Sequence, residues 1–131
     1  MKTIPVTCAL IIQNGKLLCA QRSETMSLPL KWELPGGKIE PNESEEDCLR
    51  REILEELGLI IEVETRLDSN LHEIQPGKQI QLIPFMCKII GGTLQPTEHK
   101  AIEWLEFTEL LKLDWAEADI PIIKQFIQST L

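Results

Sequence analysis

Tyrosine is absent from this 131-residue chain, and only two histidines and four cysteines are present. The cysteines (Cys8, Cys19, Cys48 and Cys87) form no C-x-x-C pair, and with only His72 and His99 beside them a zinc site is not expected. Spaced thiols without a leader-like opening stretch lead us to expect reduced cysteines in a cytoplasmic protein. No apolar run reaches the length that spans a bilayer. Positive charge is scarce as well: 13 Lys+Arg against 21 Asp+Glu give a formal charge of −8. That balance argues against nucleic-acid polymers and against a polybasic membrane anchor. It leaves polyphosphate substrates open, because they arrive with metal ions that reverse the local charge. Repeats, linkers and low-complexity segments are also missing, so length and 43% apolar content fit one domain over residues 1–131. Oligomeric state stays open.

What is present is concentrated between residues 37 and 59, which read GKIEPNESEEDCLRREILEELGL. Glu52, Glu55 and Glu56 stand at i, i+3 and i+4, on one face of a helix. Like charges at that spacing each cost an isolated helix a few tenths of a kcal/mol. A cation held against them explains the arrangement, and oxygen-only ligands point to a hard divalent ion such as Mg²⁺, with Mn²⁺ as a possible substitute. Ser44 with Asp47 three residues on resembles a capping box, and Glu45, Glu46 and Asp47 favour the positive end of the helix dipole. Gly58 suits a left-handed C′ position, so the helix should run from about 45 to 57. Leu49, Ile53 and Leu57 form its apolar stripe, with Leu54 on the flank. Leu34-Pro35-Gly36-Gly37 reads as a flexible turn where the main chain can approach a ligand and offer a carbonyl.

The rest of the chain mixes strands and helices. Residues 6–12 read as a buried strand, and Asn14-Gly15 as a hairpin turn returning through residues 16–22. A loop over 23–31 leads to Trp32–Leu34. Strands are expected over 60–67, 79–90 and 101–107, with a turn at Pro76-Gly77. Thr108 is a candidate cap for a helical turn at 109–112. Asp119 is placed to cap a final helix over 120–129, with Pro121 tolerated in its first turn. The fold class is α/β, with a mixed sheet between helices.

Gly37, Glu43, Arg51, Glu52, Ile53, Glu55, Glu56, Gly58 and Leu59 match every defined position of G-x5-E-x7-R-E-U-x-E-E-x-G-U, where U is apolar. In this stretch the chain resembles the Nudix hydrolase family, and its layout is similar to that family's α/β/α sandwich. The resemblance implies metal-dependent hydrolysis of a nucleoside diphosphate linked to another moiety. It makes Glu52, Glu55 and Glu56 metal ligands, joined by the Gly36 carbonyl. Arg51 would pair with a neighbouring carboxylate and orient it, as a rigid guanidinium fork suits. Glu43 would support the ligands from behind, and Lys38 would contact a phosphate, unless each is simply an exposed surface charge. The general base is either Glu52 or Glu98 in Thr97-Glu98-His99-Lys100, and Glu98 is a further candidate ligand.

Ala20-Gln21-Arg22, Trp32-Glu33-Leu34-Pro35-Gly36-Gly37 and Ala118-Asp119-Ile120-Pro121 extend the resemblance to MutT-type nucleoside triphosphate pyrophosphohydrolases. In those enzymes water attacks the β-phosphorus and releases a nucleoside monophosphate and pyrophosphate. By position Arg22 and Lys78 would meet the phosphates or base, Leu34 would wall the base, and Asp119 would read its edge. The 8-oxo-dGTP-specific pattern has asparagine where this chain has Asp119. A charged Asp only accepts hydrogen bonds and asks for a donor such as guanine N2 or cytosine N4. The segment resembles the CTP and 5-substituted-dCTP branch at least as closely, so sanitation of 8-oxo-dGTP and of CTP-like nucleotides are both expected possibilities. The alternatives are an ADP-ribose type of Nudix pyrophosphatase, faintly suggested by Pro76, or a non-catalytic nucleotide-binding Nudix domain, which the intact motif disfavours. Lack of tyrosine removes the aromatic marker of diadenosine polyphosphate hydrolases.

Overall fold

The computed structural model describes residues 1–130. Its elements are β1 (Lys2–Gln13), β2 (Lys16–Gln21), β3 (Trp32–Glu33), β4 (Gly36–Lys38), α1 (Glu45–Leu57), β5 (Leu59–Arg66), β6 (Asn70–Gln75), β7 (Lys78–Gly92), β8 (Ala101–Glu106) and α2 (Ile120–Ser129). Short 3₁₀ helices at Phe107–Lys112 and Glu117–Asp119 lead into α2.

The strands form one mixed sheet with β3, β2, β1, β7 and β5 side by side, while β4 joins β1, β6 joins β7 and β8 joins β2. Parallel pairing of β1 with β7 runs from Lys2↔Lys78 to Ile11↔Cys87 and forms its spine. Alternation along β1 sends Cys8 and Leu10 to one face and Ala9 and Ile11 to the other. The first pair meets Ile122, Ile123 and Phe126 of α2. The second meets Leu49, Ile53 and Leu57 of α1. Each of those three α1 side chains is wholly buried, a gain of about 1.5–3 kcal/mol apiece from leaving water. The sheet therefore lies between helices, as the sequence pattern implies.

Four local readings change. Gly36-Gly37 is not a turn but the start of β4, paired antiparallel with Cys8 and Thr7. β6 carries no strand signal in the sequence: its apolar residues, Leu71 and Ile74, stand three apart rather than two, and both are exposed. Thr108 does not cap the turn after β8, because that 3₁₀ helix already begins at Phe107 and has no side-chain cap. Asp119 does occupy the N-cap position of α2, but its side chain makes no capping bond. Among the described residues no helix is long and apolar enough to cross a membrane.

Candidate active site

α1 is pinned at both ends, and this fixes where its carboxylates point. Ser44 accepts the Asp47 amide at its start, and Gly58 closes it at φ 73°, returning its amide to the Leu54 carbonyl. A side chain at Gly58 would also collide with the Thr93 carbonyl. Buried Leu49, Ile53 and Leu57 dock the helix, which turns Glu52 and Glu56 toward β4 while the Glu55 side chain stays 61% exposed. Gly37 lies so close to Glu52 that a β-carbon there would strike the carboxylate.

Arg51 gathers the surrounding acids. Its Nε and Nη2 grip Glu43 through both oxygens at 2.7 and 2.9 Å, and its Nη1 reaches Glu52 at 2.9 Å and Glu55 at 3.4 Å. Nη2 also donates to the Lys38 carbonyl at 3.3 Å. One fork thus ties the β4–α1 loop to the helix, and hydrogen bonds from Arg51 hold Glu43 down at about 2. Lys38 itself carries an exposed side chain.

Glu56 has the opposite environment. Its Oε2 is buried without a hydrogen-bond partner. Desolvation pushes its carboxyl up to about 9, the charges of Glu52, Glu33 and Glu98 add to the rise, and a hydrogen bond from the Gly36 backbone opposes it. Burial likewise raises Glu52, with Arg51 pulling the other way and Glu55 and Glu98 adding to the rise. A desolvated carboxylate oxygen facing three more acids lacks a positive partner, and an all-oxygen donor set fits a hard divalent cation. Among the described residues no three acidic, histidine or cysteine side chains already converge as a complete cage. Glu55 faces outward, with its side chain 61% exposed.

Glu98 lies beyond the end of α1 on the loop joining β7 to β8. Its side chain is exposed and lies near enough for its charge to act on both Glu52 and Glu56. Neighbouring His99 is buried and places Nε2 2.8 Å from Glu33 Oε2, while Arg22 Nη1 donates to the other Glu33 oxygen at 2.6 Å. Sequence reasoning does not single out Glu33 or His99. They are 66 residues apart, and no local spacing announces the pair.

The residues expected to meet the base depart further from expectation. Leu34 is buried in the core cluster that holds Cys8 and Phe126. Asp119 is also buried, and its Oδ2 accepts the Leu34 amide at 2.8 Å. Desolvation pushes Asp119 up to about 7, so near neutrality a protonated form that donates as well as accepts stands beside the accept-only carboxylate. Arg22 is near enough to pull Asp119 down, but its Nε and Nη2 are committed to Ser27 at 2.6 and 2.9 Å. Lys78 pairs with Lys2, five register steps from Thr7↔Ile83, which at strand rise is roughly 16 Å from the level of Gly37. The fold therefore does not bring Lys78 to the carboxylates. Glu33 links the two ends, since its charge raises both Glu56 and Asp119. A separate cavity of about 220 Å³, lined by Arg66, Pro84, Ile122 and Phe126 among others, contains none of the candidate site residues.

Comparison with known proteins adds to this geometry. The family model described as the NUDIX domain matches residues 1–126. The chain is 39% identical over 127 residues to a CTP pyrophosphohydrolase of Escherichia coli K12, covering 97% of this chain and 93% of the relative. It is 33% identical over 114 residues to a putative 8-oxo-dGTP diphosphatase 2 of Mycobacterium tuberculosis, covering 87% and 81%. The solution structure of the E. coli ORF135 protein superposes with a TM-score of 0.85 at 38% identity, over 98% of this chain and 91% of that one.

Proposed function

The chain belongs to the Nudix domain family, and on that premise we propose that it hydrolyses (deoxy)nucleoside triphosphates to a nucleoside monophosphate and pyrophosphate. The observation that carries this reading is the desolvated Glu56 carboxyl, its Oε2 buried without a partner, set among Glu52, Glu33 and Glu98 beside the Gly36-Gly37 strand. Glu52 and Glu56 would hold a divalent cation, Mg²⁺ or Mn²⁺, with Glu55, Glu98 and the Gly36 carbonyl as further donors. When bound, such an ion supplies Lewis acidity and neutralises phosphate charge.

The chain's own residues supply the rest. Arg51 fixes the Glu52 carboxylate and locks Glu43 behind it. Glu52 and Glu98 are the two candidate acceptors for the proton of the attacking water. Lys38, exposed at the end of β4, is free to approach a phosphate. Arg22 and Asp119 are the candidate contacts at the end where the base would lie, with Leu34 held in the core beside Asp119; Lys78, away from the carboxylates, would meet the base rather than the phosphates. Below about 7 Asp119 carries a proton and both donates and accepts, while above it Asp119 accepts only. That range accommodates an oxidised guanine as well as a cytosine ring. The named activities of the relatives, on CTP and on 8-oxo-dGTP, support a modified-nucleotide or CTP-like substrate. We place the activity in the cytoplasm, acting on small nucleotides rather than polymers.

Pyrophosphate release and kcat/KM measured for 8-oxo-dGTP, dCTP, 5-methyl-dCTP and ADP-ribose test the reading. A nucleoside triphosphate is expected to lead, and a clear preference for ADP-ribose would overturn it. Glu52→Gln and Glu98→Gln, assayed separately, are expected to identify the base by a loss of at least ~10²-fold in kcat. If neither slows turnover that far, the base assignment fails.

A further inference from the structure

We propose that Thr97 and His99 are positioning residues that hold Glu98 against the Glu52–Glu56 side of the cleft, Thr97 by fastening its loop to α1 and His99 by fastening it to Glu33. The inference rests on the proposed hydrolase reading and extends it to residues outside the Nudix motif.

A helix ends with carbonyls that have no partner within the helix. At the end of α1 the β7–β8 loop fills that role. Thr93, Gln95 and Thr97 donate their amides to the carbonyls of Gly58, Leu57 and Glu56 at 3.2, 2.7 and 3.0 Å. The Thr97 hydroxyl adds a contact shared between the carbonyls of Glu55 (3.1 Å) and Glu56 (3.3 Å). The loop is thus bonded to the main chain of residues whose side chains furnish the acidic face. One residue separates that fastening from Glu98.

His99 makes the second fastening. Its imidazole is fully enclosed, with Nε2 on Glu33 at 2.8 Å and Nδ1 buried without a partner. An orphaned ring nitrogen costs free energy that a leucine or phenylalanine would avoid. The bond to Glu33, which Arg22 holds from the other side at 2.6 Å, offsets that cost. Lys100 then returns the chain to the sheet through its amide and the Gln21 carbonyl at 2.9 Å. Between the two fastenings Glu98 is exposed, and the main-chain bonds of Thr97 to Glu56 keep it near acids of its own sign. On a loosely held loop, repulsion would swing it away. Anchors on both adjacent residues oppose that motion.

The test uses the full chain. Thr97→Val removes the hydroxyl at nearly constant volume and keeps the amide. It is expected to lower kcat on the order of 10- to 10²-fold, the cost of slight misplacement, with nucleotide KM little changed, and Thr97→Ser should restore turnover. Added to Glu98→Gln, Thr97→Val should cause little further loss, because residues acting through one group are not additive. His99→Gln keeps a donor for Glu33 and should retain more activity than His99→Leu; if His99→Leu does not fold, the Thr97 series decides. In metal-free protein Thr97→Val should also speed amide exchange over residues 96–99 while leaving the core of α1 protected, and it should weaken Mn²⁺ binding. A full additional loss on the Glu98→Gln background, or unchanged exchange and Mn²⁺ affinity, would overturn the proposal. If the wild-type chain released no pyrophosphate from any nucleotide, the hydrolase reading would fall, and the exchange and Mn²⁺ measurements would still decide the positioning role.

Discussion

Asp119 stands where a helix cap is expected and spends its carboxylate on a different amide. Its Oδ2 takes the Leu34 N–H instead of the first amides of α2, binding the α2 entrance to the β3–β4 connection. Burial raises it to about 7. The native chain then keeps a proton on Asp119 up to about 7, whereas the unfolded chain releases it near 3.8. Between these values the native state binds more protons, so Asp119 lowers stability as pH rises, with its full cost above about 7. Asp119→Asn keeps an acceptor for Leu34 and cannot ionise. Its Tm is expected to exceed that of the wild type at about pH 8 and to match it below about pH 4, as thermal unfolding followed by circular dichroism would measure. Equal Tm values at pH 8 would contradict a buried, reluctant acid.

At the scale of elements, α1 is almost wholly legible from local signals. Its bounds, Glu45–Leu57, agree with the expected span of about 45 to 57 because Ser44 and Gly58 act on amides and carbonyls within a few residues. Asp47 does not complete a reciprocal box; it pairs with Arg50 at 2.9 Å. Ser44 therefore carries the side-chain cap alone, and Ser44→Ala is expected to cost about 1 kcal/mol of stability by urea titration. A loss within error of zero would mean that docking against the sheet, rather than the cap, sets the helix start. The Gly36-Gly37 segment is the counterexample. Its glycines suggest a turn, but pairing with Thr7 and Cys8 makes it a strand, and the glycines serve close approach to Thr7 and to Glu52. Conformational freedom is visible in a sequence, whereas the neighbour that requires it is not.

For the molecule as a whole, the pressing electrostatic fact is an acidic cleft in a chain of net charge −8. Glu56, raised to about 9 from 4.5, stays protonated in the metal-free fold across the range in which the unfolded chain has ionised. Stability of the metal-free protein is thus expected to fall as pH rises from about 4.5 to about 9. A divalent cation requires the ionised carboxylate and competes with the proton, so its stabilisation should grow with pH. At about a hundredfold excess over Kd it would add about 2.7 kcal/mol. Tm measured with and without Mg²⁺ at about pH 6 and pH 9 checks this, with Glu56→Gln expected to flatten the slope and most of the Mg²⁺ response. A Mg²⁺ shift that survives in Glu56→Gln would place the ion elsewhere.

Some of this was determined by sequence alone. The span and ends of α1, and the placing of Glu52, Glu55 and Glu56 within one turn of it, follow from residues within a turn or two of one another, whose interactions depend on helical period and backbone chemistry; the α/β class follows from the alternation of such segments along the chain. Tertiary structure decided the rest. It set Glu55 outward and Glu56 inward, bonded Asp119 to Leu34 across 85 positions and His99 to Glu33 across 66, and left Lys78 away from the carboxylates. Those outcomes depend on desolvation and on which strands lie side by side, and neither is encoded in local spacing. The parallel pairing of β1 with β7 and the antiparallel pairing of β2 with β8 bring these distant segments together, and burial between them sets the acidity of the groups they carry.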